Sequence, residues 1–281
     1  MRAWALRVTP SGFVNRGDVS PTQKFMENWN AAQYLKYGDE RTRAAADLAA
    51  RVKLERPETI ADLGCGPGNS TEVLRSRWPT SNIIGIDNSA AMIDAAKRSF
   101  PGQSWVLADV ADWAPANSIA LVYSNAALQW LPNHGSLVRR LFSFLAPGGA
   151  LAFQIPSSTY ATVRTLIHDI SNDPAWTQRM VAPRTALTME PPSFYYDSLA
   201  AEATALDIWE IEYNHVMDSQ DEIVDWIAST GLRPFLAALD SESERNRFVI
   251  ELRRRVSSAY ELRSDGKVLF PFRRTFVIAY R

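Results

Sequence analysis

Three observations predict that this chain folds as a doubly wound α/β protein. Between residues 56 and 155 short apolar runs alternate with amphipathic segments, the pattern of buried parallel strands joined by crossover helices. The first run empties into a glycine-rich turn, "ADLGCGPGNS". Three runs in succession end in an acid, at Asp62, Asp87 and Asp109.

Taken in order, residues 1–20 mix Gly, Pro, Asn and charge without a period and read as a loose extension. Ser20 followed by Pro21 suits an N-cap and first helical position, so a helix is expected from Pro21 to about Tyr37. A second begins at Asp39 and carries Ala44, Leu48 and Val52 on one face. These N-terminal lid helices occupy 21–55. The core at 56–155 then reads "TIADLG", "STEVLRSRW", "NIIGID", "AAMIDAAKRSF", "SWVLAD", "IALVYSN", "GSLVRRLFSFL" and "GALAFQIP". After Pro156 the pattern changes. "DPAWTQRMVAPRTALTMEPPSFYYDSL" is rich in proline and aromatics and lacks a clean period, which predicts a cap wandering over the mouth of the sheet. Closing strands are expected at 204–217 ("ALDIWEIEYNHVM") and within 267–281 ("FRRTFVIAYR"). Cap segments at 156–203 and 218–264 include a helix capped by Ser219 and ended by Gly231, a helix over "SESERNRFVIELRRRVSSAYEL", and a turn at Asp265-Gly266. Residues 21–281 thus form one domain.

Composition narrows the function. With 30 basic against 31 acidic side chains, and no like-charge block longer than Arg253-Arg254-Arg255, nucleic acid is not expected as the main partner. The single cysteine, Cys65, excludes an internal disulfide, and three widely spaced histidines, His134, His168 and His215, make a metal centre an unexpected feature. The apolar run at the start is too short for a signal peptide and none reaches membrane-spanning length, so a cytoplasmic protein is expected.

The glycine turn selects among ligands. Gly64 and Gly66 let backbone approach a ligand, and Gly68 sits where the following helix nears the strand. A dinucleotide fingerprint would place its third glycine at position 69, which is Asn69 here. G-x-G-x-G led by Asp62 suits a ligand with no pyrophosphate to dock, and Asp62 is well placed for a cationic amine. Asp87 can accept from ribose hydroxyls or cap the next helix, a job for which Ser89 is the better candidate. Asp109 can accept from an adenine amino group, and Asn125, ending the fourth strand at the switch point, faces the reacting centre. Ala127, Leu128 and Trp130 read equally as site wall or as core.

D-L-G-C-G-P-G, G-I-D, A-D and S-N-A-A-L-Q-W, in this order, resemble the class I S-adenosylmethionine-dependent methyltransferases. "LKYGDERTRAA", "FQIPSS", "TGLRPFLAAL" and "DGKVLFPFRRTFVIAYR" are similar more narrowly to the trans-aconitate 2-methyltransferases, a likeness running from Trp29 to Arg281. The chain departs from that pattern at Ala44, where the family generally has Pro, and at Asn133, where it has an acid. The resemblance implies a seven-stranded Rossmann-like sheet with N-terminal helices and a helical cap in the C-terminal half. It implies S-adenosyl-L-methionine as cofactor, with Tyr34, Cys65, Asn88 and Val110 joining the residues above, and formation of a monomethyl ester on a substrate carboxylate. A carboxylate is already ionised at neutral pH, so no catalytic base is expected; the protein positions its ligands and removes water. Trp29, Tyr34, Trp130, Tyr195 and Tyr196 are candidates for the pocket wall. A small tricarboxylate demands cations, for which Arg41, Arg43, Arg233 and Arg273 or Arg274 stand in the family-restricted segments. Arg41 equally suits the cofactor's own carboxylate, and each arginine also fits ordinary surface pairing. A monomer or weak homodimer is expected. Rival readings are a carboxyl methyltransferase for another small acid or for a carrier-bound malonyl group, and a cofactor-binding module without activity.

Overall fold

The computed structural model describes residues 38–158 and 162–281, with side chains given from Thr42 onward in the first stretch. The extension expected at 1–20, the helix expected from Pro21, Trp29, Tyr34 and the side chain of Arg41 lie outside the described residues.

Helix α1 (Gly38–Arg51) buries the expected face, with Ala44 and Leu48 fully inaccessible and Val52 nearly so. The core follows as β1 (Thr59–Leu63), α2 (Asn69–Arg77), β2 (Asn82–Asp87), α3 (Ala90–Ser99), β3 (Ser104–Leu107), β4 (Ile119–Asn125), a 3₁₀ turn at Leu128–Trp130, α4 (His134–Ser143) and β5 (Leu145–Pro156). The cap helices are α5 (Thr162–Ser171), α6 (Val181–Arg184), α7 (Pro192–Leu199), α8 (Gln220–Ala228), α9 (Arg233–Ala237) and α10 (Glu242–Ala259); β6 (Ala205–Met217) and β7 (Val268–Tyr280) close the sheet.

The seven strands lie in the order β3-β2-β1-β4-β5-β7-β6. β1 to β5 are mutually parallel, whereas β7 runs antiparallel to both β5 and β6. The last strand therefore slots inside the sheet and leaves β6 at the edge. Side chains explain this: Phe276, Val277, Ile278 and Ala279 form an unbroken apolar run, fully buried, that only a strand covered on both faces accommodates. The expectation of uniformly buried parallel strands fails at β3, an edge strand whose Leu107 is 56% exposed.

Two apolar layers sandwich the sheet, one centred on Val138, Leu141 and Phe153, the other on Leu48, Leu74 and Phe276. A third core lies apart from them. Here Trp226, Phe248, Leu252 and Phe270 knit α5, α8, α9 and α10 onto the far ends of β6 and β7, which pair through all of Ala205–Met217. The segment expected to wander, 173–199, is largely turn and irregular chain broken by the short helices α6 and α7, and an additional helix, α5, precedes it. α5 carries the overlooked period, burying Val163, Ile167 and Ile170. α7 is short, opens on prolines and buries Tyr195 and Leu199. The helices at Ser219 and Ser241 begin as capping chemistry dictates, each serine oxygen accepting from the backbone three residues on, at Glu222 (3.3 Å) and Glu244 (3.2 Å).

Candidate functional site

The strand order reverses between β1 and β4, and at the carboxyl ends of these strands the structure opens two adjoining cavities. The smaller, of about 70 Å³, is lined by Gly64 and Gly66 of the glycine turn, Asp87 and Asn88 after β2, Asp109 and Val110 after β3, and the segment from Asn125 to Leu131. The larger, of about 520 Å³, lies between β4, β5, β7 and the cap helices. Asn125, Ala126 and Trp130 border both.

The glycine turn is shaped by bonds from β2. The Ile86 carbonyl accepts from Gly64 N (2.8 Å) and Cys65 N (3.0 Å), and Asp87 accepts from Gly66 N (2.9 Å) through one oxygen and from Ser89 N (2.8 Å) through the other. Burial raises the Asp87 pKa against the pull of these two bonds. Ser89 caps α3, accepting from Met92 N at 3.4 Å, so Asp87 remains a wall residue whose carboxylate also ties down the turn. Gly66 is in the left-handed region at φ 55°, and a Cβ there would project into open space. Gly64 differs. A Cβ on it would sit 2.1 Å from that of Ala127, so its smallness serves packing of the turn against the β4 exit as well as access. Gly68 is required at the first end of α2, where a Cβ would strike the rings of Phe100 and Trp105.

Two residues expected at the cofactor stand behind the wall. Asp62 is wholly buried and accepts from Ser70 Oγ (2.7 Å) and Thr71 Oγ1 (2.6 Å), both through Oδ2. Its Oδ1 is a buried acceptor with no hydrogen-bond partner among the described residues. Desolvation lifts its pKa to about 6, with the two hydroxyls opposing the rise. Cys65 is buried, its thiol pKa pushed up by desolvation and by Asp62, so it contributes backbone rather than thiol chemistry. Asp109 accepts from Ala111 N at 2.8 Å and lies 3.5 Å from the Asn88 amide that donates to it. Val110 offers its carbonyl to Arg140 Nη2 at 2.6 Å, which pins this loop to α4.

Among the described residues, the larger cavity is walled by four arginines, Arg164, Arg184, Arg273 and Arg274, with His168, against one acid, Glu212. Arg274 is 4% exposed and donates through Nη1 to Gln154 Oε1 at 3.2 Å. Arg273 is more open and pairs with Glu212 at 3.2 Å. Arg184 is held by neutral acceptors, Ser171 Oγ at 2.9 Å and Thr177 Oγ1 at 2.8 Å. Arg164 contacts the sulfur of Met189 at 3.2 Å.

Several expected substrate residues lie elsewhere. Arg43 is exposed and stacks over Tyr213, its guanidinium 5.1 Å from the ring centroid. Arg233 begins α9 beside the cavity without lining it, and desolvation lowers its pKa. Tyr196 is 55% exposed, and Tyr195 is fully buried in the sheet core, so neither lines the cavity. Tyr195 docks the cap instead. Its hydroxyl donates to His134 Nδ1 (2.6 Å), whose Nε2–H donates to the Leu128 carbonyl (2.9 Å), while Thr188 N donates to the Gln129 carbonyl (2.8 Å). These bonds clamp the 3₁₀ turn carrying Trp130, and burial lowers the His134 pKa, keeping it neutral.

Arg164, His168 and Arg184 were not anticipated from the sequence. Arg164 and His168 stand four residues apart on α5 and share a face, which the helical period would have revealed. Nothing local marks Arg184.

Residues 60–149 match the family model described as a methyltransferase domain. The chain is 43% identical over 256 residues to the trans-aconitate 2-methyltransferase of Azoarcus sp. (strain BH72), covering 91% of this chain and all of that protein. It is 45% identical over 258 residues to the protein of the same name in Methylobacterium radiotolerans, covering 90% and 98% of the two chains. Among solved structures, an N-methyltransferase of Haemonchus contortus superposes with a TM-score of 0.58 at 13% identity, covering 94% of this chain and 60% of that one, a likeness of fold.

Proposed function

The chain belongs to the trans-aconitate 2-methyltransferase family, and on that premise we propose how its two cavities divide the work. The protein is an S-adenosyl-L-methionine-dependent methyltransferase that forms the monomethyl ester of trans-aconitate. The observation that carries the reading is electrostatic. An acid-lined cavity and an arginine-lined cavity share the wall Asn125, Ala126 and Trp130.

The smaller cavity fits the cofactor by its acceptors. Asp87 and Asp109 offer carboxylates to hydroxyl and amine hydrogens, and Gly66 leaves the space a side chain would take. Asn88, Val110 and the glycine turn complete the wall. When bound, the cofactor supplies a methyl group on a cationic sulfonium.

In the larger cavity Arg274, Arg273, Arg184 and Arg164 bind the acid's carboxylates, Arg274 as the buried anchor. The reacting carboxylate needs no proton removed, because its pKa near 4 leaves it ionised. Trp130 and Ala126 bring the two ligands to one wall, and the clamped cap excludes water; attack of an anion on a cation loses charge, so a dry site favours it. The arginines that line the cavity favour a free polycarboxylate over a carrier-bound group. The near-balanced charge of −1 supports a reading without nucleic-acid binding, and the protein acts in the cytoplasm as a monomer or weak homodimer on this reading. Among the described residues no helix is long and apolar enough to cross a membrane.

Purified protein incubated with radiolabelled cofactor and, separately, trans-aconitate, cis-aconitate, isocitrate and citrate is expected to esterify trans-aconitate fastest. Ester from none of the four would sink this reading of the substrate.

A further inference from the structure

We propose that Gln154 is a positioning residue that sets which end of the Asn125 amide faces the reacting ligands. The proposal rests on the methyl-transfer reading above, but its hydrogen-exchange test does not. Gln154 lies near the C-terminal end of β5, wholly buried, directly opposite Asn125 in the parallel pair with β4. Its Oε1 accepts from Arg274 Nη1 (3.2 Å) and its Nε2 donates to Asn125 Oδ1 (2.6 Å).

The direction of this relay is set at its arginine end. A guanidinium has only donors, so the glutamine atom beside it must be the carbonyl oxygen. The glutamine NH₂ is then the group that meets Asn125, and Asn125 must answer with its oxygen. That leaves Asn125 Nδ2 as the group presented at the boundary of the two cavities, which Asn125 lines on both sides. A carboxylate arriving there meets N–H donors. If the relay ran the other way, it would meet a carbonyl oxygen and be repelled. Because the reacting carboxylate loses charge as it attacks, the donor's use is orientation of the attacking group, and Arg274 both anchors one carboxylate and fixes the polarity seen by the next.

Two substitutions separate polarity from mere support. Gln154→Glu can still bond both neighbours, accepting from Arg274 and from an Asn125 amide turned round, but it reverses the relay. Gln154→Met removes both bonds at nearly the same volume. A structural role predicts that the methionine variant is the poorer enzyme. The polarity role predicts the opposite: Gln154→Glu keeps its Tm nearer to wild type, yet at saturating trans-aconitate its kcat falls about 10²-fold, against about 10-fold for Gln154→Met. Neutralising Arg274 by the new carboxylate raises KM, so the polarity is read in kcat alone. Independently of any acceptor, hydrogen exchange of ¹⁵N-labelled side-chain amides should show slow Gln154 and fast Asn125 NH₂ protons in wild type, and slow Asn125 protons in Gln154→Glu. A fast Gln154 amide in wild type, or kcat of Gln154→Glu at or above that of Gln154→Met, overturns the proposal. Absence of ester from wild type, with the exchange pattern as expected, would fault the substrate assignment and leave the relay standing.

Discussion

The two cavities meet at one wall and are built by opposite means. Around the smaller, polar groups are satisfied at short or moderate separation in sequence: Asp87 binds Ser89 N two residues on and Gly66 N 21 residues back, and Asp109 binds Ala111 N. Around the larger, the same kind of work is done across long separations, Arg274 reaching Gln154 and Arg273 reaching Glu212 on a neighbouring strand. One side is acidic and suits a cation; the other is rich in arginine and suits an anion. The contrast teaches that opposite charges can be brought to one boundary when each is held by its own scaffold, a local loop on one side and a folded cap on the other.

Substitutions on the two sides should therefore separate cleanly. The largest expected effect is at the anchor: Arg274→Met should raise the KM for trans-aconitate by about 10²–10³-fold while cofactor affinity stays near wild type. Equal loss of both in steady-state kinetics and calorimetry would merge the two sites. Next is a contrast within the glycine turn. Gly64→Ala, driven into Ala127 at a positive φ, should cost about 2–4 kcal/mol of stability. Gly66→Ala, with open space before it, should cost about 1 kcal/mol and be felt mainly as weaker cofactor binding. Denaturant midpoints that fall equally in both would show that the turn has no preferred open side.

Asp87→Ala, which frees the Gly66 amide, is expected to weaken the cofactor by about 10–30-fold and leave the acceptor KM unchanged. Unaltered cofactor affinity would remove Asp87 from the site. Asp62 gives a pH signature. Its folded pKa of about 6 lies above the usual aspartate value, so between about pH 4 and 6 the native state holds a proton that the unfolded chain has released. Stability from this group is present below that window and lost as pH rises through it, on the order of 2–3 kcal/mol. Asp62→Asn should accordingly gain Tm relative to wild type between pH 4 and pH 7. A constant difference across that range would contradict the raised pKa. The smallest effect is expected at Arg233, which stands outside the cavity; Arg233→Ala should change the acceptor KM by less than about 3-fold.

The core was legible because its signals are local. Alternation of apolar runs and amphipathic segments marked β1 to β5, and a serine cap at Ser219 marked α8. The spacing of Gly64, Gly66 and Gly68 separated this turn from a dinucleotide loop, and the acids at strand ends reached the cavity at Asp87 and Asp109. Asp62 did not, because Ser70 and Thr71 at the start of α2 turn its carboxylate inward. The arginines resisted the same treatment. Arg43, Arg233, Arg273 and Arg274 stand in similar company along the chain, yet one is stacked on Tyr213, one lies beside the cavity, one pairs with Glu212 and one is buried as an anchor.

By itself, then, the sequence determined the parallel core, the shape of the glycine turn and the acids beside it, since periodicity, turn chemistry and strand-end position act over a few residues. Only the tertiary structure decided that β7 enters between β5 and β6, and which cations face the acid. β7 brings Arg273 and Arg274 beside Asn125 from far along the chain, and α5 and α6 add Arg164 and Arg184 from a third segment. A long, flexible cation goes wherever packing leaves it a partner, and that choice is made by burial against residues distant in sequence.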